Sequence, residues 1–317
     1  MLPLGLSMLW EPVDPETALR ERFGFDDLAA VRGWVSKALD ATWAITVDAC
    51  PRMVISDQNA IVWARSDRGD LVVKWSRARE RFPSLDASTR LLRGLADRGI
   101  PVAAPLATTD GLDRVVLDGP SGELSVTVLP ELSGDWLDVT DHAAVLSAGA
   151  CLAELHLALG SLEAGDATAP QGARLSQEIG DWLASGDRGL APEASRRLRD
   201  LLPGAPELDG EPQRVHNDFR AANILTRDSA VVGVLDFDEV VVEHPVHDLA
   251  KASVYLSTLF TDWPPTSREV RQALRAGYES VRPLSPAEAR WFEILVLWQG
   301  ILAIPGEHDP AGWASAV

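Results

Sequence analysis

The chain has 317 residues, of which 46% are hydrophobic and 24% are charged, as in ordinary globular proteins long enough for two separate cores. Its formal net charge of −18 argues against a nucleic-acid backbone or an anionic membrane as partner, because both would repel it, and favours a cationic small molecule. Acidity that serves only solubility is an equally good interpretation, since net charge does not say where the charge lies.

The sequence also bears on the cellular location. Cys50 and Cys151 are too few for a disulfide framework and lack metal-ligand spacing, which fits a reducing cytoplasm. Residues 1–10 are apolar but lack a basic segment and are interrupted by proline and glycine, so a signal peptide is not expected. The apolar stretch 294–304 is too short to span a bilayer. We therefore expect a cytoplasmic protein with no membrane partner.

The first part of the chain combines helices with short strands. Aspartates at residues 14 and 27 precede two predicted helices, the second over residues 28–39. Apolar runs bounded by turn residues predict strands over residues 43–49, 53–56, 59–66, 71–76, 115–117 and 123–129. A helix over residues 77–98, divided at Pro83, precedes the last two strands. Together these elements predict a sheet of about five antiparallel strands.

The second part is predicted to be mainly helical. Apolar periodicity and capping residues predict helices over residues 141–159, 174–184, 192–202 and 249–259, followed by two that open at residues 266 and 285. Asp248 is the expected N-cap of the fourth of these helices. His156 is expected to be a structural hydrogen-bonding residue. Trp263, Trp298 and Trp313 could line a ligand cleft, although tryptophans at helical spacing more often pack in a core.

The most informative stretch is VHNDFRAANILTRDSAVVGVLDFD, at residues 215–238. Its apolar runs IL and VVGVL, parted by the turn-like TRDS, predict a hairpin. Asp218 and Asn223 precede the hairpin and Asp236 follows it, so a hairpin could bring the three side chains together. Oxygen atoms of Asn223 and Asp236 suit Mg²⁺, which leaves Asp218 to accept a proton from an alcohol.

An Asp-x-x-x-x-Asn pattern alone is a weak signal, because both residues are common in turns, and a hairpin with polar ends is the simpler interpretation. The combination with His216 and with the Asp-Phe pair at residues 236–237 matches the order of parts in a kinase active site. The stretch resembles the aminoglycoside phosphotransferase family, the small-molecule branch of the protein-kinase-like fold.

The resemblance implies a two-lobed α+β fold, with a nucleotide-binding lobe at residues 1–130 and a mainly helical catalytic and substrate-binding lobe at residues 131–317. In that family the first aspartate positions or deprotonates the substrate hydroxyl. The asparagine and the second aspartate hold Mg²⁺ on the nucleotide phosphates. By resemblance, these roles fall on Asp218, Asn223 and Asp236.

The resemblance also implies nucleotide contacts in the first lobe. Lys74, in the predicted strand LVVKWS, would hold the α- and β-phosphates, although a solvent-facing strand lysine is the alternative. The loop ending at Asn59 lacks the glycine-rich phosphate cover of protein kinases and resembles the short loop that replaces it in this family. The adenine would bind the Pro130 carbonyl and the Leu132 amide.

The sequence departs from the family where a helix glutamate usually pairs with the strand lysine. The predicted register offers Ser88, with Asp86 two residues earlier and Glu80 before the proline. The partner of Lys74 is therefore open.

Three further charged residues lie close to the motif. Arg220 is the only cation inside the catalytic loop and would stabilise charge on the transferred phosphoryl group; a salt bridge to a neighbouring carboxylate is an almost equal alternative. Asp238 replaces the glycine of Asp-Phe-Gly. Asp238 and Glu239 could extend the metal site or contact a cationic acceptor, or form a solvated turn.

These observations predict an ATP-dependent, or GTP-dependent, kinase that phosphorylates a hydroxyl group of a small, amine-bearing molecule such as an aminoglycoside or another antibiotic. A metabolite kinase acting on an amino sugar, choline or homoserine is the alternative, because the fold does not choose the acceptor. A catalytically silent nucleotide-binding protein and a metal-dependent hydrolase are further possibilities.

Overall fold

The structure, a computed structural model, describes residues 4–162, 172–185, 191–208, 210–306 and 308–317. It divides into two compact units, of which the first ends at Ser133 and the second begins at Gly134. The expected boundary followed residue 130.

A six-stranded sheet dominates the N-terminal unit. Its strands are β1 (Gly5–Met8), β2 (Val47–Ile55), β3 (Asn59–Ser66), β4 (Gly69–Ser76), β5 (Val115–Gly119) and β6 (Gly122–Pro130). They are arranged in the order β1-β2-β3-β4-β6-β5. The five strands from β2 to β6 form the predicted antiparallel sheet. β1 adds a sixth strand, parallel to β2, that the sequence analysis did not predict.

The N-terminal helices are α1 (Pro15–Phe23), α2 (Leu28–Trp43) and α3 (Phe82–Ala96). The side chains of Asp14 and Asp27 cap α1 and α2 as predicted. Pro83 lies in the first turn of α3 and therefore begins this helix, where its missing N–H costs nothing, instead of dividing it.

Two of the predicted strands were wrong in their bounds. Trp43 belongs to the last turn of α2, where its indole N–H donates to the carbonyl of Leu106 at 2.9 Å. Residues 47–55 form one strand in place of two. Pro51 lies where the register of β2 against β3 shifts, and a bulge of this kind tolerates proline within a continuous strand.

One face of the sheet carries the core of this unit. Trp75 of β4 is buried and packs edge-on against Trp34 of α2, with 5.4 Å between ring centroids. Val73 lies on the same face, two residues away. Because side chains alternate along a strand, Lys74 points to the opposite face, where it is paired with Ile61 of β3 and Thr127 of β6.

The C-terminal unit is mainly helical, as predicted. Its elements in chain order are β7 (Asp135–Trp136), α4 (His142–Ser161), α5 (Gly172–Ala184), α6 (Pro192–Leu201), β8 (Gln213–Val215), β9 (Ile224–Arg227), β10 (Ala230–Val234), β11 (Val241–Glu243), α7 (Pro245–Tyr255), α8 (Arg268–Val281), α9 (Pro286–Leu302) and α10 (Trp313–Ala316). β10, β9 and β7 form one small sheet, and β11 pairs with β8. β9 and β10 are the predicted hairpin, turning at Asp228 and Ser229, both at positive φ.

α4 is the central helix of this unit. Within the described residues it is the one helix whose length and composition would let it cross a membrane, yet 61% of its apolar window is buried inside the protein, as in a core helix. It packs closely against α8. A Cβ added at Gly149 of α4 would overlap the Leu274 carbonyl of α8, and one at Gly277 of α8 would overlap the Leu146 carbonyl of α4.

The structure also corrects two expected caps. Asp248 does not cap a helix, because α7 begins earlier, with His244 at its N-cap and Asp248 buried in its first turn. Ser267 caps α8 through the Val270 amide, while the Thr266 hydroxyl donates to the Val254 carbonyl.

Candidate active site

The loop that joins β8 to β9 carries the kinase-like motif, and His216 fixes its shape. The ring of His216 is fully buried. Its Nε2 lies 3.0 Å from the carbonyl oxygen of Leu235, and its Nδ1 lies 3.2 Å from the amide nitrogen of Asp218. Since the carbonyl can only accept and the amide can only donate, the ring hydrogen is on Nε2. The ring also packs edge-on against Phe237, with 4.7 Å between centroids.

Asp248 of α7 holds the backbone of the same loop. Its carboxylate accepts hydrogen bonds from the backbone amides of His216 at 3.0 Å and Asn217 at 2.9 Å. It also accepts from Nε2 of His156 at 3.0 Å, and Nδ1 of His156 lies 2.8 Å from the Tyr278 hydroxyl. Burial alone raises the pKa of Asp248, but the hydrogen bond and attraction of His156 and the loop contacts outweigh it and lower the pKa. The structural role expected for His156 is therefore observed.

Asn223 holds Asp218 in place. The side-chain nitrogen of Asn223 donates to the backbone carbonyl of Asp218 at 2.9 Å and to its Oδ2 at 2.7 Å. Asn223 is itself buried, and its backbone carbonyl accepts from the Leu235 amide at 2.8 Å. Because its nitrogen is used for Asp218, its amide oxygen is the atom that would reach a metal ion.

Arg220 contacts Asp218 from the other side. Its Nε lies 3.1 Å from Oδ1 and 3.3 Å from Oδ2 of that carboxylate. Its Nη1 donates to the Leu259 carbonyl at 3.0 Å, and its guanidinium lies over the ring of Trp263, 5.3 Å from the centroid. The salt-bridge alternative for Arg220 is thus observed, and its action on a phosphoryl group stays a prediction.

The pKa of Asp218 is raised above its ordinary value of 3.8. Burial of the carboxyl is the largest cause, and the negative charge of Asp236 adds to it. The positive charge and hydrogen bond of Arg220 act in the opposite direction. The result is a carboxylate that is more basic than an ordinary aspartate, which favours its accepting a proton.

Asp236 lies two residues after the end of β10, in a left-handed backbone conformation with φ of 61° and ψ of 75°. Its side chain is exposed, whereas Phe237 is buried against His216. Its charge is close enough to raise the pKa of Asp218, and the amide of the preceding Leu235 binds Asn223, so the hairpin brings Asp218, Asn223 and Asp236 to one end. Asp238 is half-buried and Glu239 exposed in the short 3₁₀-helix that follows.

The donor set fits a divalent metal that is shared with a nucleotide. Within the described residues, no group of three or more His, Cys, Asp or Glu side chains could hold a metal ion. Mg²⁺ bound to a nucleotide usually takes one or two carboxylates, with phosphate and water oxygens completing its shell. The Asp236 carboxylate and the Asn223 amide oxygen match that requirement.

The residues predicted to bind the nucleotide lie in the N-terminal unit. Lys74 is in the second half of β4, Asn59 is the first residue of β3, Pro130 is the last residue of β6, and Leu132 lies two residues further on. The backbone carbonyl of Asn59 accepts from the Ser56 amide at 2.8 Å, which closes the loop between β2 and β3.

Two of the candidate partners of Lys74 have other described contacts. The Ser88 hydroxyl donates to the Leu85 carbonyl of its own helix at 3.1 Å, and Asp86 forms a salt bridge with Arg90 at 2.7 Å. Glu80 lies in a short 3₁₀-helix before α3.

A buried arginine that the sequence analysis missed connects α3 to the sheet. Arg114 donates to the Thr89 hydroxyl of α3 at 2.8 Å, and to the carbonyl at 3.1 Å and the hydroxyl at 3.2 Å of Ser125 in β6. Ser125 is two residues from Thr127, the strand partner of Lys74, so its side chain is on the same face of the sheet. α3 therefore covers the face that carries Lys74.

A cavity of about 250 Å³ lies beside Asp218 in the C-terminal unit. It is lined by Asp218, Phe219, Arg220, Lys251, Ala252, Tyr255 and Trp263. Of the three tryptophans expected as possible cleft residues, Trp263 lines this cavity, whereas Trp298 and Trp313 are buried. Lys251 and Tyr255 gave no sequence signal, because only the packing of α7 against the loop brings them to Asp218.

The two-lobed fold and the groups at this loop define a small-molecule kinase of the protein-kinase-like fold. The chain belongs to the phosphotransferase enzyme family, whose family model matches residues 55–292. The family identified from the motif at residues 215–238 is thereby confirmed.

Individual proteins agree with this assignment. The chain is 30% identical to the homoserine kinase of Gluconacetobacter diazotrophicus over 243 residues, which cover 75% of this chain and 74% of that protein. Among solved structures, a macrolide 2'-phosphotransferase from Brachybacterium faecium matches with a TM-score of 0.61 at 18% identity, covering 90% of this chain and 97% of that one. An amicoumacin kinase in complex with AMP-PNP, Ca²⁺ and Ami matches with a TM-score of 0.56 at 16% identity, covering 89% and 90%. At these identities the two structures show the shared fold alone.

Proposed function

We propose that the protein transfers the γ-phosphoryl group of ATP, with GTP as the alternative donor, to a hydroxyl group of a small, amine-bearing metabolite. The observation that carries this proposal is the carboxylate of Asp218, which is fixed by Asn223 and Arg220 and has a raised pKa. A fixed, basic carboxylate that borders a cavity is what the activation of an alcohol requires.

Each group has a proposed role. Asp218 orients the acceptor hydroxyl and takes its proton, while Arg220 sets the direction and the basicity of that carboxylate. Asn223 and Asp236 would hold Mg²⁺, which, when bound, neutralises negative charge on the phosphate oxygens. Lys74 would bind the α- and β-phosphates, with Asn59, Pro130 and Leu132 as further nucleotide contacts.

Among the acceptors, a metabolite is better supported than the aminoglycoside or other antibiotic of the first expectation. The similar homoserine kinase covers most of the chain. The cavity beside Asp218 has about 250 Å³, below the about 300–1,000 Å³ of sites for drug-sized ligands. Asp238 and Glu239 are proposed to contact the amine. A cytoplasmic location and the absence of nucleic-acid and membrane partners stay predictions.

A panel of acceptors tests the proposal. Homoserine, choline, an amino sugar and an aminoglycoside are each supplied with Mg-ATP or Mg-GTP, and release of the nucleoside diphosphate is followed together with ³¹P NMR of the product. We expect a phosphate ester of homoserine or another small amino alcohol. Binding of Mg-ATP without turnover of any acceptor would favour a silent nucleotide-binding protein. Release of phosphate without an acceptor would instead indicate a hydrolase.

A further inference from the structure

The cavity beside Asp218 is locally basic in an acidic protein. The whole chain has 29 lysines and arginines against 47 aspartates and glutamates. The charged side chains that line the cavity are Asp218, Arg220 and Lys251, so cations outnumber anions there by two to one. The charge of the cavity lining is therefore opposite in sign to that of the whole chain, and it favours an anionic group in the ligand.

The two cations differ in how their charge is used. Arg220 forms an ion pair with Asp218 and is covered by Trp263. Nζ of Lys251 lies 2.9 Å from Oδ1 of Asn217, which is a neutral amide oxygen. An ammonium group has three N–H donors, so this contact leaves Lys251 able to bind an anion.

The remaining walls set the size and shape of what can bind. Ala252, Tyr255 and Phe219 surround the cavity with apolar and aromatic surface, and Tyr255 adds a hydroxyl group one helical turn after Lys251. About 250 Å³ accommodates a small molecule whose hydroxyl group is at Asp218.

We propose that Lys251, next to Arg220, binds a carboxylate of the acceptor, so that the acceptor is a hydroxy amino acid and not a simple amino alcohol. This inference rests on the proposed function and names the substrate class of the same site. An acceptor without the carboxylate would bring its ammonium group towards Lys251 and Arg220 and would offer no anionic group of its own to Lys251. Lys251 is then a specificity-determining residue for the phosphotransfer.

Homoserine and 3-aminopropan-1-ol test this, because they share the chain, the hydroxyl group and the amine and differ only in the carboxylate. For Lys251→Met we expect kcat/KM for homoserine to fall about 10–100-fold more than kcat/KM for 3-aminopropan-1-ol, since a hydrogen bond to a charged group is lost. The change should appear mainly in KM, with the affinity for Mg-ATP unchanged. Lys251→Arg should restore part of the preference, and Lys37→Met, at an exposed lysine of α2, is the matched control.

Two outcomes would overturn the inference. An equal loss with both acceptors in Lys251→Met would show that Lys251 only positions the loop through Asn217. In calorimetric titrations, which need no turnover, wild-type protein that binds homoserine no more tightly than 3-aminopropan-1-ol would exclude a carboxylate site. Failure of the proposed function gives a different result, namely no phosphate ester with any acceptor.

Discussion

Arg220 donates through Nε to the carboxylate of Asp218, with 3.1 Å between Nε and Oδ1. Asn223 binds the other oxygen of the same carboxylate at 2.7 Å. The group proposed to receive the proton is therefore held from two sides. Its basicity is a balance, in which burial raises the pKa and the neighbouring guanidinium lowers it.

Replacing Asp218 by asparagine separates catalysis from binding. Asp218→Asn removes the proton acceptor at nearly constant shape, and we expect kcat to fall by about 10²–10⁴-fold while the dissociation constant for Mg-ATP changes little. Because the pKa of Asp218 is raised in the folded protein, its ionisation opposes folding above the unfolded value of 3.8, so the variant should be at least as stable at neutral pH. Turnover close to that of the wild type would contradict the role.

The balance at Asp218 predicts a shift of the pH profile. In Arg220→Met, burial is no longer opposed by the guanidinium, so the pKa of Asp218 rises further. The acid limb of kcat/KM, where the carboxylate gains its proton, should move to higher pH. Arg196→Met, at an exposed arginine of α6, should leave the profile in place. An unchanged limb or one at lower pH in Arg220→Met would show that Arg220 does not tune Asp218.

The metal dependence tests Asp236. Loss of a residue that only hydrogen-bonds a metal ligand already weakens metal binding by about 10–100-fold. Asp236→Asn loses a carboxylate ligand itself, so the variant should need at least about tenfold more Mg²⁺ for half-maximal activity. Asp228→Asn, in the turn at the other end of the hairpin, is the control. The same Mg²⁺ requirement in Asp236→Asn and wild type would remove Asp236 from the metal site.

Asp248 is predicted to contribute to the stability of the folded protein. Asp248→Ala leaves the buried amides of His216 and Asn217 and the ring of His156 without their acceptor, which should cost about 3–5 kcal/mol of unfolding free energy. Because the folded pKa of Asp248 is lowered, its stabilisation is present above the unfolded value of 3.8 and is lost as the pH falls through the folded pKa.

Denaturant titrations of Asp248→Ala measure this effect. Asp248→Asn keeps one acceptor oxygen and should lose less, while Asp200→Ala, at the exposed surface of α6, should be nearly neutral. A loss below about 1 kcal/mol in Asp248→Ala would mean that water replaces the carboxylate.

The crossing of α4 and α8 depends on glycine. In Gly149→Ala the new Cβ meets the Leu274 carbonyl, a backbone atom that cannot rotate away, and we expect a loss of about 1–3 kcal/mol in thermal or chemical unfolding. Gly180→Ala in α5 has open space around the new methyl group and should stabilise that helix by about 0.5–1 kcal/mol. Equal stability of the two variants would show that the helices move apart at little cost.

Much of the site could be predicted because its signal is local. His216, Asp218, Asn223 and Asp236 stand at fixed spacings around two apolar runs, and a hairpin brings its ends together whatever surrounds it. The N-caps Asp14, Asp27 and Ser285 of α1, α2 and α9 could also be predicted from the sequence, because an N-cap side chain binds amides in the first turn of its own helix.

Other features had no local signal. The parallel pairing of β1 with β2 joins segments separated by two helices. β1 has only four residues and no alternation of apolar and polar side chains, so its sequence does not predict a strand. Asp248 looked like a helix cap, and only its burial beneath residues 216–217 shows the hydrogen bonds that hold the loop.

The sequence by itself determined the class of protein, the hairpin and the oxygen-bearing groups at its end, because these depend on neighbours along the chain. The tertiary structure alone decided that the Leu259 carbonyl and the Trp263 ring hold the guanidinium of Arg220, and that α7 brings Lys251 and Tyr255 to the same cavity. Contacts between residues thirty or more positions apart depend on how the helices pack against one another. The side-chain periodicity of a single element predicts which of its faces is buried, but not which other element that face contacts.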